Sequence, residues 1–300
     1  MIASFIITFR ETLEAALVVG IILSFLARTK QAKYNNVVYV GIASGLIASI
    51  IGALIFVNIA GGFEGKAENI FEGVTMLFGS VLLTTMILWM MKQRHIALEI
   101  EKKVEKEVKE THKLGLFLLV FVAVLREGIE TVIFLGASSF ASNEGSIIGG
   151  LAGIAIAIFL GYLIFVSSMK ISIKKFFAVT NILLILFAAG LVAHGVHEFQ
   201  EAGIIPALIE EAWNINPAAP LAEKGIYPLL HENGNIGSIL KGLFGYNGNP
   251  ALIEILAYLA YLAFVFVLWK NVKNPALKRW RARVLEHPKN TKTQRGFLMY

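Results

Sequence analysis

The residues that could do chemistry in this 300-residue chain stand in two stretches of one form, Phe9-Arg10-Glu11-Thr12-Leu13-Glu14-Ala15-Ala16-Leu17-Val18-Val19-Gly20 and Leu125-Arg126-Glu127-Gly128-Ile129-Glu130-Thr131-Val132-Ile133-Phe134-Leu135-Gly136. Each reads Arg-Glu-x-x-Glu with a glycine ten residues after the arginine, and each lies in an apolar run long enough to cross a bilayer. An ionisable side chain at that depth costs several kcal/mol, so such residues are rare and line ion or substrate paths. On a helix, residues three and four apart share a face. Arg10, Glu11 and Glu14 can therefore face one cavity, as can Arg126, Glu127 and Glu130. Two matching clusters point to one site built twice.

Carboxylates are hard oxygen ligands and suit hard cations such as ferric iron. The two motifs carry four negative and two positive charges, so a fully ionised site stands at −2. A trivalent ion takes it to +1 and a divalent ion to zero. The arginines hold the glutamates ionised and in place while no ion is bound. The competing reading, an ion-pair network with a structural role alone, is costly relative to apolar packing.

A third cluster, His194-Gly195-Val196-His197-Glu198-Phe199-Gln200-Glu201, ends an apolar stretch. His194, His197, Glu198 and Glu201 share a helical face and make either a metal-binding surface or a polar helix end at the interface. The order is not the His-Glu-x-x-His of a zinc hydrolase. Glu72 and Glu254 fall near other outer helix ends and either join an outer vestibule or face water. Met86, Met90 and Met91 read as packing or lipid-facing residues rather than soft-metal ligands. With no cysteine, disulfides and thiolate metal sites are excluded. There is no nucleotide-binding glycine loop with its lysine and no catalytic serine constellation.

The elements that must position these residues are membrane helices. The chain is 56% hydrophobic, with mean hydropathy +0.69, far more apolar than a soluble domain. Seven apolar stretches approach the roughly 20 residues a spanning helix needs, near 2–27, 37–59, 70–91, 114–137, 146–169, 176–198 and 251–270. The first is too long and too charged for a cleaved signal peptide. The segments 28–36, 92–113, 170–175 and the tail from Lys270 hold 22 of the 27 Lys and Arg, while the three alternate connections hold only Lys66, Lys224 and Lys241. The positive-inside rule then puts the N-terminus outside and the C-terminus in the cytoplasm. Net charge +6 thus reflects topology, with the basic tail against anionic lipid, and not nucleic acid.

The chain also repeats itself. Gly41-x-x-x-Gly45 and Gly52-Ala53-Leu54-Ile55-Phe56-Val57 match Gly149-x-x-x-Gly153 and Gly161-Tyr162-Leu163-Ile164-Phe165-Val166, and Phe71-Glu72-Gly73-Val74-Thr75 matches Phe176-Phe177-Ala178-Val179-Thr180. A unit of three spans forces its second copy through the membrane upside down, an arrangement typical of transporters with the site at the repeat interface. The expected fold class is therefore all-α: a polytopic membrane protein with seven transmembrane helices, two inverted three-helix repeats and one extra helix. It forms a single domain over 1–300. Repeat one spans 1–91, a charged cytoplasmic helix 92–113, repeat two 114–198, an outer loop 199–250, the seventh helix 251–270 and the tail 271–300. The run from Glu99 to Lys113 reads as a solvated helix. Within the outer loop, Pro206 to Trp213 and Ile236 to Phe244 read as short interfacial helices, and the loop's glutamates would concentrate cations.

The paired Arg-Glu-x-x-Glu motifs in this topology resemble the high-affinity iron permease family, the oxidase-dependent iron transporters. The stretches His197-Glu198-Phe199-Gln200-Glu201-Ala202-Gly203 and Leu243-Phe244-Gly245-Tyr246 are similar to its prokaryotic ferric/ferrous members. The resemblance covers almost the whole chain. It implies iron as the transported substrate, taken up as the ferric ion after oxidation by an extracytoplasmic oxidase or delivered by an iron-delivery protein, with no prosthetic group. It implies Glu11, Glu14, Glu127 and Glu130 as metal ligands, supported by Arg10 and Arg126. Fungal members have Leu where this chain has Ile129. Some relatives are associated with lead, which leaves another heavy-metal cation open. The expected location is the plasma (inner) membrane. Two other readings stand beside the permease: a membrane-embedded metal-dependent hydrolase built on the third cluster, with Glu72, His194, His197, Glu198, Glu201 and Glu254 otherwise forming the outer mouth, and a non-transporting metal sensor.

Overall fold

The structure, a computed structural model, describes residues 2–92, 96–109, 112–142, 147–165, 173–206, 209–215, 227–231, 234 and 236–273. Among these residues the regular structure is helical. The helices are α1 (Ile2–Arg28), α2 (Asn35–Ala60) after a 3-10 turn at Ala32–Tyr34, α3 (Lys66–Lys92), α4 (Ile96–Lys109), α5 (Lys113–Ser142), α6 (Ile147–Phe165), α7 (Ile173–Glu201), α8 (Gly237–Phe244) and α9 (Leu252–Lys273). All seven prolines fall outside them, so no i to i−4 ladder is interrupted by a missing N–H.

Five helices, α2, α3, α6, α7 and α9, are long and apolar enough to cross a membrane. The 27-residue α1 and the 30-residue α5 are as long, but they carry the charged clusters. The outer faces are oily: α2 exposes Leu46, Ile47, Ile50, Ile51, Leu54 and Ile55. A contiguous apolar surface of that kind suits lipid and not water. The protein is thus a multi-pass membrane protein.

Helices pair along their lengths: α1 with α6, α2 with α5, and α3 with α7, while α9 lies against α7. Small residues set the approach. A Cβ at Gly45 of α2 would fall 2.9 Å from the Val124 Cβ of α5, and one at Gly153 of α6 would fall 2.9 Å from the Phe9 amide nitrogen of α1. The Thr8 hydroxyl of α1 donates to the Gly150 carbonyl at 2.9 Å. The glycine that follows each charged cluster receives a ring, Phe165 against Gly20 and Phe56 against Gly136, where any side chain would collide.

Two sequence expectations are amended. The charged helix α4 is not simply solvated. Its Ile100, Val104 and Val108 join a core with Leu26, Tyr34 and Leu116, and Arg28 pairs with Glu101. Its apolar stripe needed cover, and the end of α1 and the start of α5 supply it. The segment from Pro206 to Trp213 is not a helix in its described part. The Ala212 and Ile215 amides donate to the Pro250 and Gly248 carbonyls at 2.8 and 2.9 Å, and the Leu252 amide donates to the Ile209 carbonyl at 3.1 Å. Those bonds satisfy backbone groups that a helix would have satisfied internally. The expected helix at 236–244 forms as α8, half-buried, with Ile239 exposed, and it packs against α7, α5 and α1. A Cβ at Gly190 of α7 would fall 2.5 Å from the Gly245 Cα, so the turn that ends α8, with Gly245 at φ 65°, presses directly on α7. Ala3, Ile6 and Ile7 at the start of α1 line one crevice with Leu243 of α8. The basic tail beyond Lys273, and Glu223, Lys224 and Glu232 of the loop expected over 199–250, lie outside the described residues.

Candidate metal centre

The two charged clusters meet where α1 packs against α5. Carboxylate oxygens of Glu11, Glu14 and Glu127 lie within 4.8 Å of one another. Glu11 is 1% exposed and Glu127 8%. Glu11 Oε2, Glu14 Oε1 and Glu127 Oε2 are buried without a hydrogen-bond partner. Buried oxygens are normally partnered, and a hard cation about 2–2.5 Å from each would satisfy all three. Glu130, the fourth glutamate of the pattern, is not one of the converging three. Its Oε1 accepts from Arg126 Nε at 2.7 Å.

The arginines differ. Arg10 is fully buried. Its NH1 donates to Glu11 Oε1 at 2.7 Å, and its NH2 lies 2.9 Å from Glu14 Oε1, an ion pair without hydrogen-bond alignment. NH1 also donates to the Met86 sulfur at 2.9 Å and NH2 to the Met90 sulfur at 3.1 Å. The Arg126 side chain is 46% exposed. It binds Glu130, stands 3.9 Å from Glu127, and holds its guanidinium 5.4 Å from the centre of the Trp89 ring. The clusters match in sequence, but one is a closed salt bridge in the core and the other an open one beside it.

The cluster at the end of α7 is divided. His197 Nδ1 and Glu254 Oε1 are 3.0 Å apart, and His197 Nε2 stands 3.2 Å from Glu201 Oε1. Asn69 donates to Glu201 at 3.2 Å. Glu254, 2% exposed, also accepts from the Ala251 amide at 2.9 Å and Asn247 at 3.0 Å. It caps the start of α9 and ties α7 to it, so its oxygens are already engaged. Gly73 brings α3 so close to α7 that a Cβ there would lie 3.3 Å from the Glu198 Cβ, which sets Glu72 near Glu198. His194 lines a different crevice, with Ser138, Phe187, Gly190, Lys241 and Gly245.

The profile of the Iron permease FTR1 family matches residues 1–272. The chain belongs to the iron permease family. Among similar proteins, an uncharacterized protein of Archaeoglobus fulgidus is 34% identical over 269 residues, covering 88% of this chain and 92% of that protein. The ferrous iron permease EfeU of Escherichia coli O6:H1 is 32% identical over 268 residues, 87% of this chain and 92% of its own length. EfeU of Yersinia pestis is 31% identical over 274 residues, covering 90% and 93%. No solved structure matches the chain.

Membership of a permease family favours a transporter over the membrane-embedded hydrolase. It also gives context to what the sequence reading passed over. The sequence makes Met86 and Met90 packing or lipid-facing residues. Met86 does belong to the core around Leu83, Ile87 and Phe134, yet both sulfurs also accept from Arg10. Met91 lies where side chains are not described. Trp89 carried no signal in the sequence, because an aromatic near a helix end ordinarily anchors at the membrane interface.

Proposed function

We propose that this chain imports iron across the plasma (inner) membrane through a glutamate site shared by α1 and α5. The carrying observation is the convergence of carboxylate oxygens of Glu11, Glu14 and Glu127, from both copies of the motif, each residue keeping one buried oxygen without a hydrogen bond, between a buried and a half-buried arginine. In this reading Glu11, Glu14 and Glu127 hold the ion and Glu130 joins when Arg126 releases it. Hard oxygen donors suit ferric iron, and the family resemblance supplies the oxidase or delivery partner that would present it. The relatives' printed name, ferrous iron permease, makes valence the first question for experiment.

The proposed architecture is one permease domain over 1–300. It has seven spans in two inverted repeats, the N-terminus outside and the tail in the cytoplasm. The packing supports it. The α1–α6 and α2–α5 pairs exchange places under the repeat, and so do their contacts: Gly20 with Phe165 and Gly136 with Phe56, Thr8 with Gly153 and Val124 with Gly45. His197, Glu198, Glu201 and Glu72 then form an outer mouth, with Glu254 and His194 as its supports.

The test is uptake of labelled iron, in each valence, by purified protein in proteoliposomes. Glu14→Gln and Glu130→Gln keep shape but remove charge and ligand, and each should abolish uptake. Full uptake by the double variant would remove the site. Zinc-dependent hydrolysis without metal flux would favour the enzyme.

A further inference from the structure

A single turn near the end of α3 touches both arginines of the site. Met86 and Met90, four residues apart, accept from the two terminal nitrogens of Arg10. Trp89, between them on the same face, offers its ring to Arg126 at 5.4 Å. We infer that Met86, Trp89 and Met90 are positioning residues for transport. They form a rack of neutral, electron-rich groups that fixes both guanidiniums and so leaves the glutamate oxygens open to the cation. Its consequence for transport rests on the function proposed above, but the rack itself can be tested without iron.

The chemistry of the acceptors carries the argument. A guanidinium presents five N–H donors and no acceptor, and buried donors require partners. At Arg10 each terminal nitrogen divides its contacts between one carboxylate and one thioether. A thioether accepts weakly and carries no charge. It satisfies the donor without adding a fifth negative charge, and as a soft ligand it does not compete for a hard cation. If the sulfurs were replaced by leucine, the freed donors would have two nearby acceptors, Glu11 Oε2 and Glu14 Oε1. Glu11 Oε2 is buried and unpartnered, and Glu14 Oε1, already 2.9 Å from NH2, lacks only hydrogen-bond alignment. The arginine would then chelate the oxygens that the ion needs. At Arg126 the aromatic face has the same role: within about 6 Å a ring stabilises a guanidinium without taking a proton or a metal. One helix thereby sets the poise of both copies of the motif. The alignment of Phe71–Thr75 with Phe176–Thr180 puts Leu191, His194 and Gly195 at the matching places in the second repeat, so neither sulfur nor the indole has a counterpart there.

The experiment compares acceptor-free with acceptor-bearing substitutions. Met86→Leu/Met90→Leu conserves volume and removes both acceptors. It should raise the apparent KM for iron about tenfold, the worth of one hydrogen bond to a charged group, with kcat little changed. Met86→Gln/Met90→Gln restores a neutral acceptor of similar reach and should return KM to within about twofold. Trp89→Phe, which keeps a ring face, should likewise outperform Trp89→Leu. A merely structural role predicts that leucine and glutamine fail together. That result, or a wild-type KM in the leucine pair, overturns the proposal. The iron-free arm is thermal melting of the purified protein. The leucine pair should lower Tm in the wild-type background and leave it unchanged in an Arg10→Gln background. Equal losses in both would overturn the rack. If the wild-type protein carries no iron, the transport reading falls, and the melting comparison still decides the rack. Should Arg10→Gln fail to fold, melting of the glutamine pair against the leucine pair gives the same decision.

Discussion

Replacing each arginine by alanine should separate the two copies of the motif. Arg10 is 0% exposed and compensates two carboxylates, Glu11 at 2.7 Å and Glu14 at 2.9 Å. Arg10→Ala leaves both without a counter-charge, and breaking a buried pair from one side typically costs about 3–5 kcal/mol. Protonation offers little escape: holding a carboxyl of ordinary acidity neutral at pH 7 costs about 3.7 kcal/mol. Either route removes a large share of the roughly 5–15 kcal/mol that holds a typical domain folded. Arg126 differs, because its side chain is 46% exposed and its main partner is Glu130 alone. A half-buried arginine with one close partner leaves less charge uncompensated than Arg10 does, so Arg126→Ala should lose less folded yield and less Tm than Arg10→Ala. The assay is folded yield by size-exclusion chromatography with thermal melting in detergent. Arg10→Ala should fall well below Arg126→Ala in both, and Arg10→Ala/Glu11→Gln/Glu14→Gln should recover stability without recovering transport. Equal losses for the two arginines, or wild-type melting of Arg10→Ala, would refute the counter-ion argument.

Three further predictions concern the surroundings of the site. His197→Ala/Glu201→Ala should raise the half-saturating iron concentration by about tenfold through lost capture at the outer mouth while sparing the maximal rate; total loss at saturating iron would move these residues into the central site. Gly153→Ala should lower Tm, since its Cβ would press on the Phe5 carbonyl and Phe9 amide of α1, whereas Gly52→Ala meets nothing within 4 Å and should raise Tm by the helix preference of alanine, about 1 kcal/mol. The chain has no cysteine, so single cysteines at Ser142 and Asn216 should react with an impermeant thiol reagent in intact cells, and those at Gln93 and Thr291 only after permeabilisation. Labelling of Ser142 and Gln93 from one side would end the inverted-repeat reading, and labelling of Asn216 and Thr291 from one side would remove α9 as a span.

The sequence by itself determined the helices, because their signal is local. Long apolar runs free of proline can satisfy their backbone only as helices, and the predicted stretches fall within a few residues of α1, α2, α3, α5, α6, α7 and α9. It also singled out the two charged clusters, because ionisable residues in such runs have no cheap explanation. Only the tertiary structure decided what each charge meets. Arg10 and Arg126 are followed by the same pair of glutamates in sequence. One is sealed by sulfurs of α3, while the other stands half open against Trp89 and draws Glu130 away from the converging oxygens. The partners come from a third helix whose register against α1 and α5 no repeat in the sequence encodes. The same holds for Glu254, which the sequence leaves between an outer vestibule and water and which is buried, caps the start of α9 and is tied to His197. Periodicity reports which residues share a face, and packing alone decides what that face is pressed against.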